Sequence, residues 1–140
     1  MPASTRFETA LRVLSILAKE KPEPVTSEAL AASIGANPAA LRKLLGMLAA
    51  AGITRAQMGK NGGAVLARGA KKVSLLDIYE AVETAPLIAS RRPAAEDPPS
   101  SEYGPAAVFA EATRPAEKAF FAALAETSLK KFVKRLDGAV

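Results

Sequence analysis

The 140-residue chain has no cysteine, no histidine and no tryptophan. Without cysteine there is no disulfide, no thiol redox sensor and no thiolate-held iron–sulfur or zinc site within this chain. Without cysteine or histidine, thiol nucleophiles and imidazole-based triads are excluded too. An enzyme would be left with carboxylate, Lys, Ser or Tyr chemistry, and the acids are scattered over expected helix surfaces. No catalytic residue, metal or cofactor is expected. Aromatics make up only 5% of residues against 49% hydrophobic, so the core must be mostly Ala, Leu and Val. No apolar run approaches the roughly 20 residues that span a bilayer, and no signal peptide is visible. A cytoplasmic protein is the expectation.

Acid is missing over a long stretch as well. No Asp or Glu stands between Glu28 and Asp77, while Arg42, Lys43, Arg55, Lys60, Arg68, Lys71 and Lys72 are all basic. The net charge of +5 divides unevenly. Residues 1–72 carry eleven Lys/Arg and four Glu, residues 73–140 eight Lys/Arg and ten Asp/Glu, giving +7 and −2. A one-signed stretch on a compact unit creates a positive field, and the commonest large anionic partner is nucleic acid. The plain alternative is a solvated basic face.

What is present reads as helices with their ends written in. Residues 37–52 form the clearest one. Asn37 suits an N-cap, Pro38 the first helical position and Gly52 a left-handed C-terminal cap. Leu41, Leu44, Leu45 and Leu48 recur at helical spacing, leaving Ala39, Ala40, Arg42 and Lys43 largely off the stripe. Before it, a helix over 5–19 lines one face with Phe7, Ala10, Leu11, Leu14, Leu17 and Ala18 and ends at the prolines Pro22 and Pro24. Arg6 and Arg12 lie off that stripe, on solvated surface or within reach of phosphate. A second helix runs from Thr26 to Ile34, with Thr26 or Ser27 as cap, Ala29, Leu30 and Ile34 inward, and Gly35 as its stop. Two helices joined by a short Gly-containing turn make a helix-turn-helix.

After Gly52 the pattern changes to short strands over 53–58 and 64–67. They flank Gly59-Lys-Asn-Gly-Gly63, in which Asn61-Gly62 is the strongest short hairpin signal. The glycines around Lys60 and Asn61 allow close backbone approach, as phosphate or minor-groove contact needs. A nucleotide-binding P-loop is excluded by order: Lys60 precedes Gly62-Gly63, no Ser/Thr follows, and a strand comes next. Ser74 caps a further helix from Leu75 to about Thr84, with Leu75, Leu76, Ile78, Tyr79 and Val82 on its apolar side and Asp77 and Glu80 complementing its dipole. Residues 85–105 hold five prolines and read as a long loop. Helical pattern returns over 106–113 and 115–125, where Phe109, Ala112, Ala116, Phe120, Ala123 and Leu124 share a stripe and Pro115 should kink or divide the helix. A basic amphipathic segment, 127–136, closes the chain. The stripe is wider than one small domain needs, which favours a two-fold dimer seam over packing back onto the first helix.

The fold class is therefore mainly α with a small two-stranded β-hairpin, a winged helix-turn-helix plus a C-terminal dimerisation helix. Residues 1–84 form the winged unit, 85–105 the proline-rich loop and 106–140 the dimerisation helices. In order, these pieces resemble the Rrf-two family of bacterial winged helix-turn-helix regulators, which includes iron–sulfur and nitric-oxide responsive repressors. The resemblance covers most of the chain. It is carried by Ala10-Leu-Arg-Val-Leu14, Val25-Thr-Ser-Glu-Ala-Leu-Ala-Ala-Ser-Ile34 and Asn37-Pro-Ala-Ala-Leu-Arg-Lys-Leu-Leu45, followed by Leu48 and Ala51-Gly-Ile53. Further on, Gly59-Lys-Asn-Gly-Gly-Ala-Val-Leu-Ala67 and Val73-Ser-Leu-Leu-Asp-Ile-Tyr-Glu-Ala-Val82 complete it. The resemblance implies a homodimeric DNA binder that pairs through a long C-terminal helix. Sensing members of the family place three cysteines in the loop before that helix, and here the loop has none. The chain resembles the cluster-free branch, and Gly46 inside the recognition helix is a smaller departure, permitting close packing with a neighbouring helix or simply tolerated.

The expected function is that of a transcriptional regulator, a repressor acting as a homodimer on a palindromic operator. The alternative is a winged-helix module for protein–protein contact without DNA binding. Thr26, Ser27 and Asn37 are expected to hold phosphates at helix N-termini, where N–H groups are free. Pro38, Ala39, Ala40, Arg42 and Lys43 are expected to face the groove, Arg42 being suited to a bidentate contact with guanine. Arg55, Lys60, Asn61 and Gly62 place the wing on the backbone or in the minor groove. An unknown small-molecule effector would find a pocket lined by Tyr79, Leu87, Tyr103 and Phe109, residues that ordinary core would equally employ.

Overall fold

A computed structural model describes residues 4–20, 23–88 and 105–139. The elements in order are α1 (Arg6–Lys19), α2 (Ser27–Ile34), α3 (Pro38–Ala50), β1 (Thr54–Gln57), β2 (Gly63–Leu66), a 3-10 turn (Ala70–Lys72), α4 (Leu75–Val82), α5 (Pro105–Glu126) and α6 (Leu129–Gly138). Two compact units divide the chain: Met1–Thr84 with Leu124–Val140, and Ala85–Ala123.

In the first unit α1 is the hub, packing against α2, α4, α6 and β2. Ala10, Val13, Leu14 and Leu17 sit one turn apart on a single face and are all buried. Val13 and Ser15 join the core although neither was on the expected stripe. Ser15 is tolerated there because its hydroxyl donates to the Leu11 carbonyl at 2.6 Å. Phe7 and Ala18 only edge the core. The fully buried side chains are aliphatic throughout, Leu14, Leu17, Leu30, Leu41, Leu48, Ile53, Ile78 and Leu129 among them. Each contributes about 1.5–3 kcal/mol by leaving water.

The helix ends follow local chemistry. Thr26, not Ser27, caps α2: the Ala29 N–H donates to its Oγ1 at 3.1 Å. Ala29 itself points to solvent, and Ala31 takes the inward place beside Leu30, one turn before Ile34. Gly52, at φ 72°, ends α3 in a Schellman motif. Its N–H donates to Ala49 at 2.9 Å, the Ile53 N–H donates to Leu48 at 3.0 Å, and the side chains of Ile53 and Leu48 are both buried. Ser74 and Asp77 form a complete capping box at the start of α4, which ends at Val82, two residues short of the expected Thr84.

The hairpin is antiparallel, with Thr54 opposite Leu66 and Gln57 opposite Gly63. That register leaves a five-residue loop, 58–62, one residue earlier than the expected turn over 59–63. The Gly62 N–H closes onto the Gly59 carbonyl at 3.0 Å. Gly59 supplies the positive φ (113°); no described non-glycine residue has one, so Asn61 does not adopt the left-handed state a type I′ turn requires. A further bridge ties the hairpin to the segment before α2. Val25 and Ala64 exchange both backbone hydrogen bonds, at 3.1 and 2.8 Å.

The end of the chain returns to the first unit. The Leu129 N–H donates to Val73, the Leu75 N–H donates to Thr127, both at 2.8 Å, and the Leu129 side chain is fully buried. Ser128 caps α6 as Ser74 caps α4. The basic tail therefore packs on α1 and on the 3-10 turn, with Phe132 and Val133 against the core, and shares no unit with residues 85–123. α5, most of which belongs to the second unit, runs unbroken through Pro115, so of the expected kink or division the division does not occur. Nearby, the Thr113 hydroxyl donates to the Phe109 carbonyl at 2.9 Å, the i−4 bond open to a threonine within a helix. Among the stripe residues, Phe109, Ala112, Ala116 and Ala123 are exposed and Phe120 and Leu124 half-buried.

Candidate nucleic-acid interface

The outer surface of α3 carries Pro38, Ala39, Ala40, Arg42, Lys43, Gly46 and Ala49, all exposed, while Leu41, Leu44 and Leu48 hold the helix to the core. Small residues flanked by two cations leave room for the edges of a major groove, about 12 Å wide. Beside them the hairpin presents Arg55, Gln57, Met58, Lys60 and Asn61, all exposed. A groove of about 340 Å³ separates the two, floored by Leu45, Gly46 and Ala49 and walled by Arg42 and Arg55. On the other flank of α3 a cleft of about 510 Å³ is bounded by Arg12 of α1 and by Asn37 and Lys43.

One expectation for this surface needs correction. The N–H groups at the start of α3 are not free for phosphate. Pro38 has none, Ala39 and Ala40 donate to the Asn37 Oδ1 at 2.9 and 3.2 Å, and Leu41 donates to the Asn37 carbonyl at 3.0 Å. What remains for an anion is the Asn37 side-chain NH₂ and the helix dipole. The Ser27 hydroxyl donates to Glu28 Oε2 at 3.2 Å. Two of the wing glycines, Gly62 and Gly63, also answer to the protein's own backbone. A Cβ on Gly62 would collide with the Gln57 carbonyl oxygen, and one on Gly63 would lie 2.6 Å from the Val25 carbonyl.

The structure also adds a residue the sequence reading passed over. Glu28 Oε1 lies 3.5 Å from Arg42 Nη1, with both side chains largely exposed. The spacing between positions 28 and 42 carries no helical signal, so only the packing of α2 on α3 brings them together. Arg6 lies 3.8 Å from Glu83, whereas Arg12 has no ion pair among the described residues. Phe7 stacks edge-on against Tyr79 at 5.4 Å, and Tyr103, another aromatic of the expected effector pocket, lies outside the described residues.

Close packing against a neighbouring helix does not account for Gly46. A Cβ there would meet nothing within 4 Å. Gly46→Ala should therefore stabilise the fold by about 0.5–1 kcal/mol through helix propensity, while weakening any ligand that approaches the groove floor closely. Chemical denaturation and a DNA-binding isotherm on the same variant would separate the two signs.

A helix-turn-helix followed by a two-stranded wing, its third helix outwardly small and basic, defines the winged helix-turn-helix class of DNA-binding regulators. The family model Rrf2, described as an iron-dependent transcriptional regulator, matches residues 3–135. The chain belongs to the Rrf2 family of transcriptional regulators and has their DNA-binding fold. It is similar to YwgB of Bacillus subtilis (strain 168), which carries an HTH-type transcriptional regulator name, with 32% identity over 84 residues, 59% of this chain and 54% of that protein. The match thus spans about half the length of that curated relative. The fold also matches IscR of T. potens (TM-score 0.75, 20% identity, 99% of this chain and 90% of that one). CymR of Staphylococcus aureus matches at TM-score 0.68 and 26% identity, over 93% of this chain and 96% of that one. These relatives are regulators, not enzymes. The iron named for the family does not fit this chain. It has neither cysteine nor histidine, and no group of three or more potential ligands occurs among the described residues. No described helix is long and apolar enough to cross a membrane.

Proposed function

We propose that this chain is a cytoplasmic, sequence-specific double-stranded DNA-binding repressor that acts as a homodimer on a palindromic operator. The observation that carries the reading is the exposed, acid-poor surface formed by Pro38–Lys43 on α3 together with Arg55, Lys60 and Asn61 on the wing. Base edges fall to Arg42, with Ala39 and Ala40 admitting close approach. Phosphates fall to Thr26, the Asn37 amide, Lys43, Arg55 and Lys60. In this division residues 1–84 make the DNA contact, 85–105 connect, and within 106–140 the α5 stripe joins two copies. Val108 and Phe109, 57% and 43% exposed, support that last role, since large apolar side chains in one patch favour a covering partner.

Selection of bound duplexes from random DNA by the full chain tests binding, palindromy and half-site spacing together. Arg42→Ala should relax the preference at one base position and cost about 1–3 kcal/mol on the operator, whereas Lys60→Ala should weaken all sequences alike and lower the salt slope by about one. Light scattering on the free protein reads the dimer. If no duplex is retained at low salt, the interaction-module reading takes over.

A further inference from the structure

We propose, resting on the DNA-binding reading above, that Glu28 is a positioning residue for Arg42 and so a determinant of operator specificity. Glu28 is the last acid before the acid-free run, and it stands in the first turn of α2, facing the surface that would meet phosphates. Its carboxylate is held from two sides. Oε2 accepts from the Ser27 hydroxyl at 3.2 Å, and Oε1 faces Arg42 Nη1 at 3.5 Å.

Folding does not account for this pair. The two side chains remain 69% and 59% exposed, and an exposed ion pair adds little to stability. The α2–α3 corner is fastened instead by buried Leu30, Ala31, Leu41 and Leu44. On a DNA-facing surface, however, the same pair has two consequences. A guanidinium has five donors in a planar fork, so one edge resting on Glu28 leaves others for the O6 and N7 of guanine. The long Arg42 side chain is then already restrained before binding, and less rotamer freedom is lost when it docks. Meanwhile the Glu28 charge repels phosphate at any sequence. That repulsion weakens operator and random DNA alike, whereas the restraint on Arg42 acts only where guanine is read, so it is the restraint that raises the ratio between them.

The test uses the full chain, an operator obtained by selection with the wild-type protein, and a scrambled duplex of equal length. Affinities are compared at fixed salt for wild type, Glu28→Gln, Glu28→Asp, Arg42→Ala and the double variant Glu28→Gln/Arg42→Ala. Glu28→Gln is expected to tighten scrambled binding and lower the operator-to-scrambled ratio by about tenfold, within the range of one bidentate base contact. Glu28→Asp keeps the charge but shortens the reach. It should lower the ratio while leaving scrambled binding unchanged. In the Arg42→Ala background, Glu28→Gln should no longer change the ratio, which assigns the effect to the pair. The proposal is overturned if Glu28→Gln changes both affinities by one factor, or if Glu28→Asp keeps the wild-type ratio, since Glu28 is then a repelling charge alone. Failure of the wild-type protein to retain any duplex would bring down the DNA-binding reading itself and this inference with it.

Discussion

Gly63→Ala should detach the wing from the body of the winged unit. The added methyl would lie 2.6 Å from the Val25 carbonyl carbon and oxygen and 2.9 Å from the Thr26 nitrogen, all of them backbone atoms that cannot rotate aside. Relief requires β2 to move away from Val25, and that breaks the paired Val25–Ala64 hydrogen bonds. Overpacking of this kind costs about 1–3 kcal/mol. The two bonds add about 0.5–1.5 kcal/mol each. A loss near 3 kcal/mol is therefore expected, read as a lower urea midpoint at unchanged slope. Hydrogen exchange provides the local readout. The amides of Val25 and Ala64 should lose protection, while those within α4 and α6 keep theirs. A variant with wild-type stability would mean that β2 is not clamped as described. Gly46→Ala makes the natural control, because the same methyl placed in open space has the opposite expected sign.

Leu129→Ala is expected to have an effect of similar size by another route. Leu129 is fully buried and joins the core formed by α1, α3 and α4, although it lies at the far end of the chain. Truncating a buried leucine costs about 2–5 kcal/mol, the upper values applying where neighbours cannot collapse into the space. Its backbone is pinned by the Leu129 N–H to Val73 bond and its helix by the Ser128 cap, so collapse is restricted. At about 4–8 °C per kcal/mol for a domain of this size, the melting temperature should fall by 10 °C or more. Truncation of exposed Leu136, 38% accessible on the same helix, should change it little. Equal effects from the two would refute the docking of α6 onto the first unit.

Both predictions concern features that are non-local in sequence, and the same distinction runs through the DNA surface. Asn37 as a cap, Pro38 in the first turn and Gly52 in the left-handed conformation were all legible, because each answers a need of the backbone within a few residues. The leucine stripe of α3 was legible for the same reason. Asn61-Gly62 marked the hairpin, but the loop's bounds depend on register, which pairing with β2 and the Val25 bridge decide together. The expectation of free N–H groups at α3 failed on a point of accounting. A cap good enough to be recognised in the sequence is good enough to satisfy those donors itself.

The sequence by itself determined the order and kind of the elements, the aliphatic core, the exclusion of thiol and imidazole chemistry, and the family. Caps, periodicity and composition act over one or two turns and need no partner elsewhere. Only the tertiary structure decided that Glu28 meets Arg42, that Val25 grips β2 and that Leu129 returns to the core. Those contacts depend on how separate elements pack, and a buried leucine or an exposed acid carries no mark of which distant residue it will find.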